Sequence, residues 1–250
     1  MTSTDAACAA GAARSVRAMS GTNGRSTRVG GIHAPVPAGV IFDCDGVLVD
    51  SEPVANRVLA ELLTEHGLPT TTEESMQRYM GRSMKSSIAI SEELLGRRLP
   101  ADFAEGYYAV LGAEFARALE PIPGIAEALD RIELGSCVAS SGPHDKIRLT
   151  LGLTGLLERF DGRIFSAADV EHGKPEPDLF LHAAATMGFD PARTVVVEDT
   201  VPGVLAGLAA GMRVLAFARL TPAGALAEAG GEVFDDMRAL PGLVARASRA

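Results

Sequence analysis

From Gly39 onward the chain alternates short apolar runs with segments whose apolar residues recur at helical spacing. Val40-Ile41-Phe42 is the first run; it stops on Asp43, with Asp45 two positions further and Gly46 behind it. No second strand pattern follows for a long interval. Pro53 opens a helix in which Val54, Val58, Leu59, Leu62 and Leu63 share a face and Gly67 is the stop. Residues 71–119 continue in helical period, with Phe103, Tyr107, Leu111 and Phe115 recurring every four residues. Strand runs return after Pro121-Ile122-Pro123-Gly124, at Ser136–Ala139, Arg163–Phe165, Thr194–Val197 and Val214–Phe217. Between them lie a helix carrying Ile147, Leu149 and Leu151, one from Pro177 to Met187, and one with Pro202 in its first turn that ends near Gly211. Apolar strands alternating with helices predict a parallel, doubly wound (Rossmann-like) α/β sheet. The helical block predicts a small all-helical domain inserted at residues 53–120, between core segments 39–52 and 121–250.

Residues 1–38 read differently. They are rich in Ala, Gly, Ser, Thr and Arg, have no periodic apolar face and lack the continuous apolar core of a secretory signal. They are expected to be a disordered tail without chemistry. The whole chain carries a net charge of −9, which argues against a broad nucleic-acid-binding surface. No apolar run approaches the length that crosses a membrane. Cys8, Cys44 and Cys137 are scattered, with neither disulfide nor zinc spacing, so a reducing cytoplasm is the default location. A monomer is the default assembly.

The chemistry gathers at strand ends. Residues i and i+2 of a strand point to one side, so a loop directly after Asp43 can bring both carboxylates together beyond the carboxyl edge. Two close carboxylates repel and require a cation or a shared proton, and Mg²⁺ suits an all-oxygen site. Later strands end near Ser140, Lys174 and the Glu198-Asp199 pair. Singly, each has a plainer role: Ser140 and Ser141 as helix caps, Lys174 as a solvated loop charge, Glu198-Asp199-Thr200 as an N-cap. Together they place two acidic pairs, a cation and a hydroxyl along one sheet edge.

Four segments carry a resemblance to a known family: FDCDGVLVDSE at Phe42–Glu52, VASSG at Val138–Gly142, GKPEPD at Gly173–Asp178 and VVVEDT at Val195–Thr200. In this order and spacing the chain resembles the haloacid dehalogenase superfamily over residues 39–240. Within it, the chain is similar to the β-phosphoglucomutase-like and sugar-phosphate phosphatase subgroup with a helical cap. The resemblance implies that Asp43 is the nucleophile that forms an aspartyl-phosphate, and that Asp45 is the general acid and then base. Mg²⁺ would be held by Asp43, the Asp45 carbonyl and Asp199, with Glu198 assisting directly or through water. Ser140 and Lys174 would hold the phosphoryl group, with backbone amides near Cys44, Ser141 and Gly142. Cys44 itself reads as a small apolar filler.

A carboxylate at Asp45 points to phosphoryl rather than carbon–halogen chemistry. Phosphomutases of this group carry a His early in the first cap helix, where this chain reads Pro53-Val54-Ala55-Asn56-Arg57. The SSGPHDK segment is closer to relatives that hydrolyse sugar phosphates, including 6-phosphogluconate phosphatases. A Mg²⁺-dependent phosphatase acting on a small phosphorylated metabolite is therefore expected, ahead of a phosphomutase and well ahead of a non-catalytic phosphate-binding regulator. Arg82 and Lys85, on a proposed cap loop, could meet the substrate. His144, Asp145 and Lys146 could contact the leaving group, although His144 reads equally well as a surface residue.

Overall fold

The computed structural model describes residues 38–247, so all but the last residue of the tail expected at 1–38 lies outside the described residues. Six strands form one sheet: β1 (Gly39–Phe42), β2 (Gly135–Ser140), β3 (Ile164–Ser166), β4 (Val195–Glu198), β5 (Arg213–Phe217) and β6 (Glu232–Phe234). Their order is β3-β2-β1-β4-β5-β6, and every neighbouring pair is parallel. The fold is the expected doubly wound α/β sheet. The chain departs from β1 in both directions across the sheet, so β1 lies between β2 and β4 at the point where ligands bind in such folds.

Four helices follow β1: α1 (Glu52–Glu65), α2 (Thr72–Tyr79), α3 (Met84–Leu95) and α4 (Phe103–Ala118). Then come α5 (Ile125–Arg131), α6 (His144–Leu153), α7 (Asp178–Met187), α8 (Val201–Ala209), α9 (Ala223–Glu228) and α10 (Leu240–Ala247). None of the described helices is long and apolar enough to cross a membrane. Local signals set the ends. Thr71 accepts from the Glu74 amide while the Glu74 carboxylate accepts from Thr71, a reciprocal cap at the start of α2. Glycines in the left-handed region stop α3 at Gly96 and α7 at Gly188.

The period of two along the strands divides the core. Val40, Phe42, Val138, Val195, Val197 and Leu215 point to one face, where α5, α6 and α10 supply covering residues and apolar side chains of α1 and α4 continue the same core. Ile41, Cys137, Ala139, Val196, Val214 and Ala216 point to the other, beneath α7, α8 and α9. Phe103, Tyr107, Leu111 and Phe115 are buried along one side of α4, as their spacing predicts. Strand β6 has no counterpart in the sequence reading. It is a three-residue edge strand in which only Phe234 is buried, too short for alternation to register.

The two crossings between the helical block and the sheet lie side by side. The Asp50 amide donates to the Glu120 carbonyl at 2.9 Å, the Ile122 amide donates to the Leu48 carbonyl at 3.0 Å, and Val49 bridges Pro121 antiparallel. Arg219, after β5, donates to both carboxylate oxygens of Asp50 at 2.6 and 2.5 Å. This bidentate pair ties the outgoing crossing to the sheet's carboxyl edge.

Phe42 and Phe160 meet edge to face at 6.0 Å between ring centroids, both fully enclosed. Phe160→Ala leaves a cavity under β1, and urea unfolding is expected to register a loss of about 3–5 kcal/mol with an unchanged slope.

Candidate active site

Strand β1 ends at Phe42, but the Asp43 amide still donates to the Val197 carbonyl at 2.9 Å, which holds Asp43 at the sheet edge. A tight loop follows, closed by Gly46 N to Val49 O at 2.9 Å and Leu48 N to Cys44 O at 2.9 Å. Gly46 has φ +80°, and a Cβ there would lie 2.1 Å from Asp199 Oδ2. Only glycine lets this loop press against the acidic end of β4. Asp43 and Asp199 are thereby brought to neighbouring loops, both buried.

Lys174 reaches in from the loop after β3. Its ammonium donates to Asp43 Oδ1 at 2.5 Å, Glu198 Oε1 at 2.7 Å and the Ala139 carbonyl at 3.2 Å, and lies 4.9 Å from the Phe180 ring centroid. It is not a solvated loop charge: its side chain is 2% exposed. Glu198 Oε2 accepts from the amides of Asp199 and Thr200 at 2.7 and 2.8 Å and from the Thr200 hydroxyl at 2.9 Å. Thr200 in turn caps α8 by accepting from Gly203 N at 3.2 Å. The N-cap role therefore belongs to Thr200, and Glu198 is committed to Lys174 and the loop amides. Gly203 leaves the necessary space, since a Cβ there would lie 1.7 Å from Glu198 Oε1.

Ser140, at the end of β2, accepts from the Gly142 amide at 3.1 Å, and Ser166 donates to the Gly142 carbonyl at 2.7 Å. Neither Ser140 nor Ser141 caps α6, whose N-cap is Pro143 without a side-chain bond. Instead Ser140, Ser141 and Gly142 form one wall of a cavity of about 80 Å³. Asp43, Asp45, Lys174 and Glu198 line the same cavity, and Arg82 reaches it from the loop between α2 and α3. Arg82 is held by its Nε donating to the Arg78 carbonyl at 3.0 Å. Asp199 lies outside this wall, behind Gly46.

Three residues considered from the sequence are not in this cavity. Lys85 is on a separate hollow of the helical block, and Asp145 lines a different groove, between α4 and α6. His144 pairs with Asp169 at 2.8 Å at the surface, so its surface reading holds. Lys146 does reach the site: its Nζ donates to Asp45 Oδ2 at 2.8 Å, while the Ser51 hydroxyl donates to Asp45 Oδ1. The sequence reading missed Ser51, Glu52 and Asn56. Glu52 and Asn56 lie on the cavity wall from the first turns of α1, where an acidic residue ordinarily signals only a helix start.

Environment separates the two aspartates. Burial pushes Asp43 up to about 7, against the pull of Lys174 and with Glu198 adding to the rise. Burial acts in the same direction on Asp45, but the Lys146 ammonium and the Ser51 hydroxyl bring it below the ordinary carboxylate value. Asp199 is driven well up by burial, then by Glu198 and Asp43. Among the described residues no cluster of His, Cys, Asp or Glu is already gathered as a metal cage. The donor chemistry nevertheless fits a hard cation. Asp199 Oδ1 is buried with no hydrogen-bond partner, beside carboxylates whose mutual repulsion only positive charge can relieve.

The profile of the haloacid dehalogenase-like hydrolases matches residues 37–211. A 6-phosphogluconate phosphatase of Escherichia coli (strain K12) is 35% identical over 71% of this chain and 81% of its own length. Hexitol phosphatase A of the same organism is 32% identical over 71% of this chain and 82% of its own. The crystal structure of a hydrolase from Deinococcus radiodurans R1, with bound phosphate and sodium, superposes with a TM-score of 0.67 at 30% identity, over 85% of this chain and 97% of that one.

A raised folded-state value means that folding favours the protonated carboxyl, so stability is lost as pH climbs from the ordinary carboxylate range toward about 7 for Asp43. Lys174→Met removes the cation that limits this loss. In EDTA at pH 8, urea unfolding is expected to give a deficit of about 3–5 kcal/mol, narrowing clearly at pH 5. A deficit independent of pH would mean that Lys174 acts through packing alone.

Proposed function

The chain belongs to the haloacid dehalogenase-like hydrolase family and is a phosphoric monoester hydrolase, and from that footing we propose that it is a Mg²⁺-dependent phosphatase acting on a sugar phosphate through an aspartyl-phosphate. The observation that carries the reading is the environment of Asp43. Its carboxylate lies on the cavity wall with Oδ1 held by Lys174 at 2.5 Å, which leaves Oδ2 to attack phosphorus.

In the first step Asp43 Oδ2 bonds to phosphorus as the ester P–O bond breaks. The electron pair goes to the leaving oxygen, which takes a proton that Asp45, ionised in its resting pair with Lys146, has first drawn from solvent. In the second, a water gives its proton to Asp45 and attacks phosphorus; the acyl-phosphate P–O bond breaks, releasing inorganic phosphate and the Asp43 carboxylate. Lys174 limits repulsion between the Asp43 carboxylate and an incoming phosphate dianion. Ser140 and Ser141 face the transferring group as donors, the Ser140 hydroxyl oxygen being held by the Gly142 amide. Asp43, the Asp45 carbonyl and Asp199, with Glu198 beside them, would hold Mg²⁺, which would supply charge neutralisation at the nucleophile and the phosphoryl oxygens.

Hydrolysis is favoured over intramolecular phosphoryl return by the cavity wall of the described residues, which carries no His to hand a proton between sugar hydroxyls. Residues 53–120 serve as the cap in this reading. The paired crossings at Val49–Pro121 let it open and reclose over the sheet edge, with Arg82 turned toward substrate. A cytoplasmic location accords with the buried free thiols Cys44 and Cys137.

Phosphate release from a sugar-phosphate panel tests the reading. EDTA should abolish turnover and added Mg²⁺ restore it, whereas Ca²⁺, with looser geometry, should substitute poorly. Full activity in chelator would remove the metal from the scheme. Asp43→Asn, nearly isosteric, should fold normally and form no phosphoenzyme detectable by acid quench, whereas Asp45→Asn should slow turnover by about 10²–10⁴-fold. Wild-type turnover by Asp43→Asn would exclude the covalent route.

A further inference from the structure

The cavity wall carries a second buried cation for which the scheme above has no use. Lys146, on the first turn of α6, has a side chain 15% exposed, and its Nζ donates to Asp45 Oδ2 at 2.8 Å. The Ser51 hydroxyl takes Asp45 Oδ1. Both oxygens of the general acid are thus engaged, and from this position Asp45 cannot also face an ester oxygen. Some other acceptor must take Lys146 before Asp45 can turn, because an ammonium buried here without a partner is costly.

Glu52 stands on the same wall. It is 9% exposed, and its Oε2 accepts from Asn56 Nδ2 at 2.7 Å. Ser75 donates to Asn56 Oδ1 at 2.9 Å, which fixes the amide with its NH₂ toward Glu52. Among the described residues Glu52 is bonded through Oε2 alone, and nothing donates to Oε1. The wall therefore offers a fixed donor, Lys146, and a fixed free acceptor, Glu52, with the Tyr108 side chain beside them. Adjacent hydroxyl groups present that same pairing from the ligand's side, because each can accept one bond and donate another. A carboxylate-bearing leaving group would meet repulsion from Glu52, and a bare alkyl chain would satisfy neither residue.

We propose that Lys146 and Glu52 read the leaving group, selecting neutral, polyhydroxylated alcohols, and that a substrate hydroxyl accepting from Lys146 frees Asp45 to turn toward the ester oxygen. The inference rests on the phosphatase reading and adds to it the residues that choose the leaving group. Selectivity then appears in kcat as well as KM, since the correct leaving group completes the acid.

The test compares two primary alkyl phosphates, glucitol 6-phosphate and n-hexyl phosphate, which share a six-carbon chain and differ in hydroxyls. The wild-type enzyme is expected to prefer glucitol 6-phosphate in kcat/KM, with part of the preference in kcat. Lys146→Met should reduce that preference by about 10–100-fold, the worth of a charge-assisted hydrogen bond to substrate. Glu52→Gln should reduce it by about tenfold, and carries the test alone if Lys146→Met fails to fold by circular dichroism. Equal losses on both esters in the variants would place Lys146 and Glu52 behind Asp45 rather than on the leaving group, and would overturn the inference. So would a wild-type enzyme that hydrolyses both esters without preference, an outcome that leaves the phosphatase reading standing. Absence of phosphate release from every ester in the panel with Mg²⁺ would overturn both.

Discussion

The ammonium of Lys174 between Asp43 and Glu198 is the interaction on which the rest of the site depends. Two carboxylates from neighbouring parallel strands are buried at one sheet edge, and each would otherwise lose its hydration without compensation. A lysine inserted between them, with the Ala139 carbonyl as its third acceptor, satisfies all its donors and holds the ends of β1, β2 and β4 to one point. The arrangement remains short of neutral. Asp199 adds a further buried carboxyl with an unpartnered oxygen, which burial and its acidic neighbours hold toward the protonated form. With all three carboxyls ionised one lysine would not offset their charge, and this is the physical reason the cluster suits a hard cation.

Small residues make such crowding possible. Gly46 brings the loop after β1 against Asp199, and Gly203 lets Glu198 lie flat on the first turn of α8. Any side chain at either place would push an acidic group out of position. The same crowding divides the two aspartates that differ by only two positions in sequence. Asp43 meets a cation shared with Glu198 and is held up by burial; Asp45 meets Lys146 and Ser51 and is held down. Two carboxylates with opposed environments can serve one reaction as nucleophile and as proton carrier.

The helical block is tied to this chemistry through its own entry. Ser51 and Glu52 open α1 and at once contribute to the cavity, while Asp50, one residue earlier, is clamped by Arg219 and hydrogen-bonded at its amide to Glu120. Movement of α1 relative to the sheet therefore changes the partners of Asp45.

Much of this was legible in the sequence. Apolar runs and helical spacing determined the α/β alternation and the helical insertion, because both are local periodicities that survive without knowledge of contacts. Asp43, Asp45, Ser140, Lys174, Glu198 and Asp199 were legible as strand-end residues, since a parallel sheet brings such ends to one edge. Tertiary structure alone decided what each side chain meets. Lys174 finds Asp43 across 131 positions and Lys146 finds Asp45 across 101, distances over which no periodicity carries information. His144 and Lys146 are two residues apart on one helix, and only the rotation of α6 against the sheet sends the first to Asp169 at the surface and the second into the cavity. Glu52 reads in sequence as an ordinary acidic helix start, and burial against the carboxyl edge makes it part of the wall. Strand β6 owes its existence to pairing with β5, as three residues with one buried side chain leave no pattern of their own.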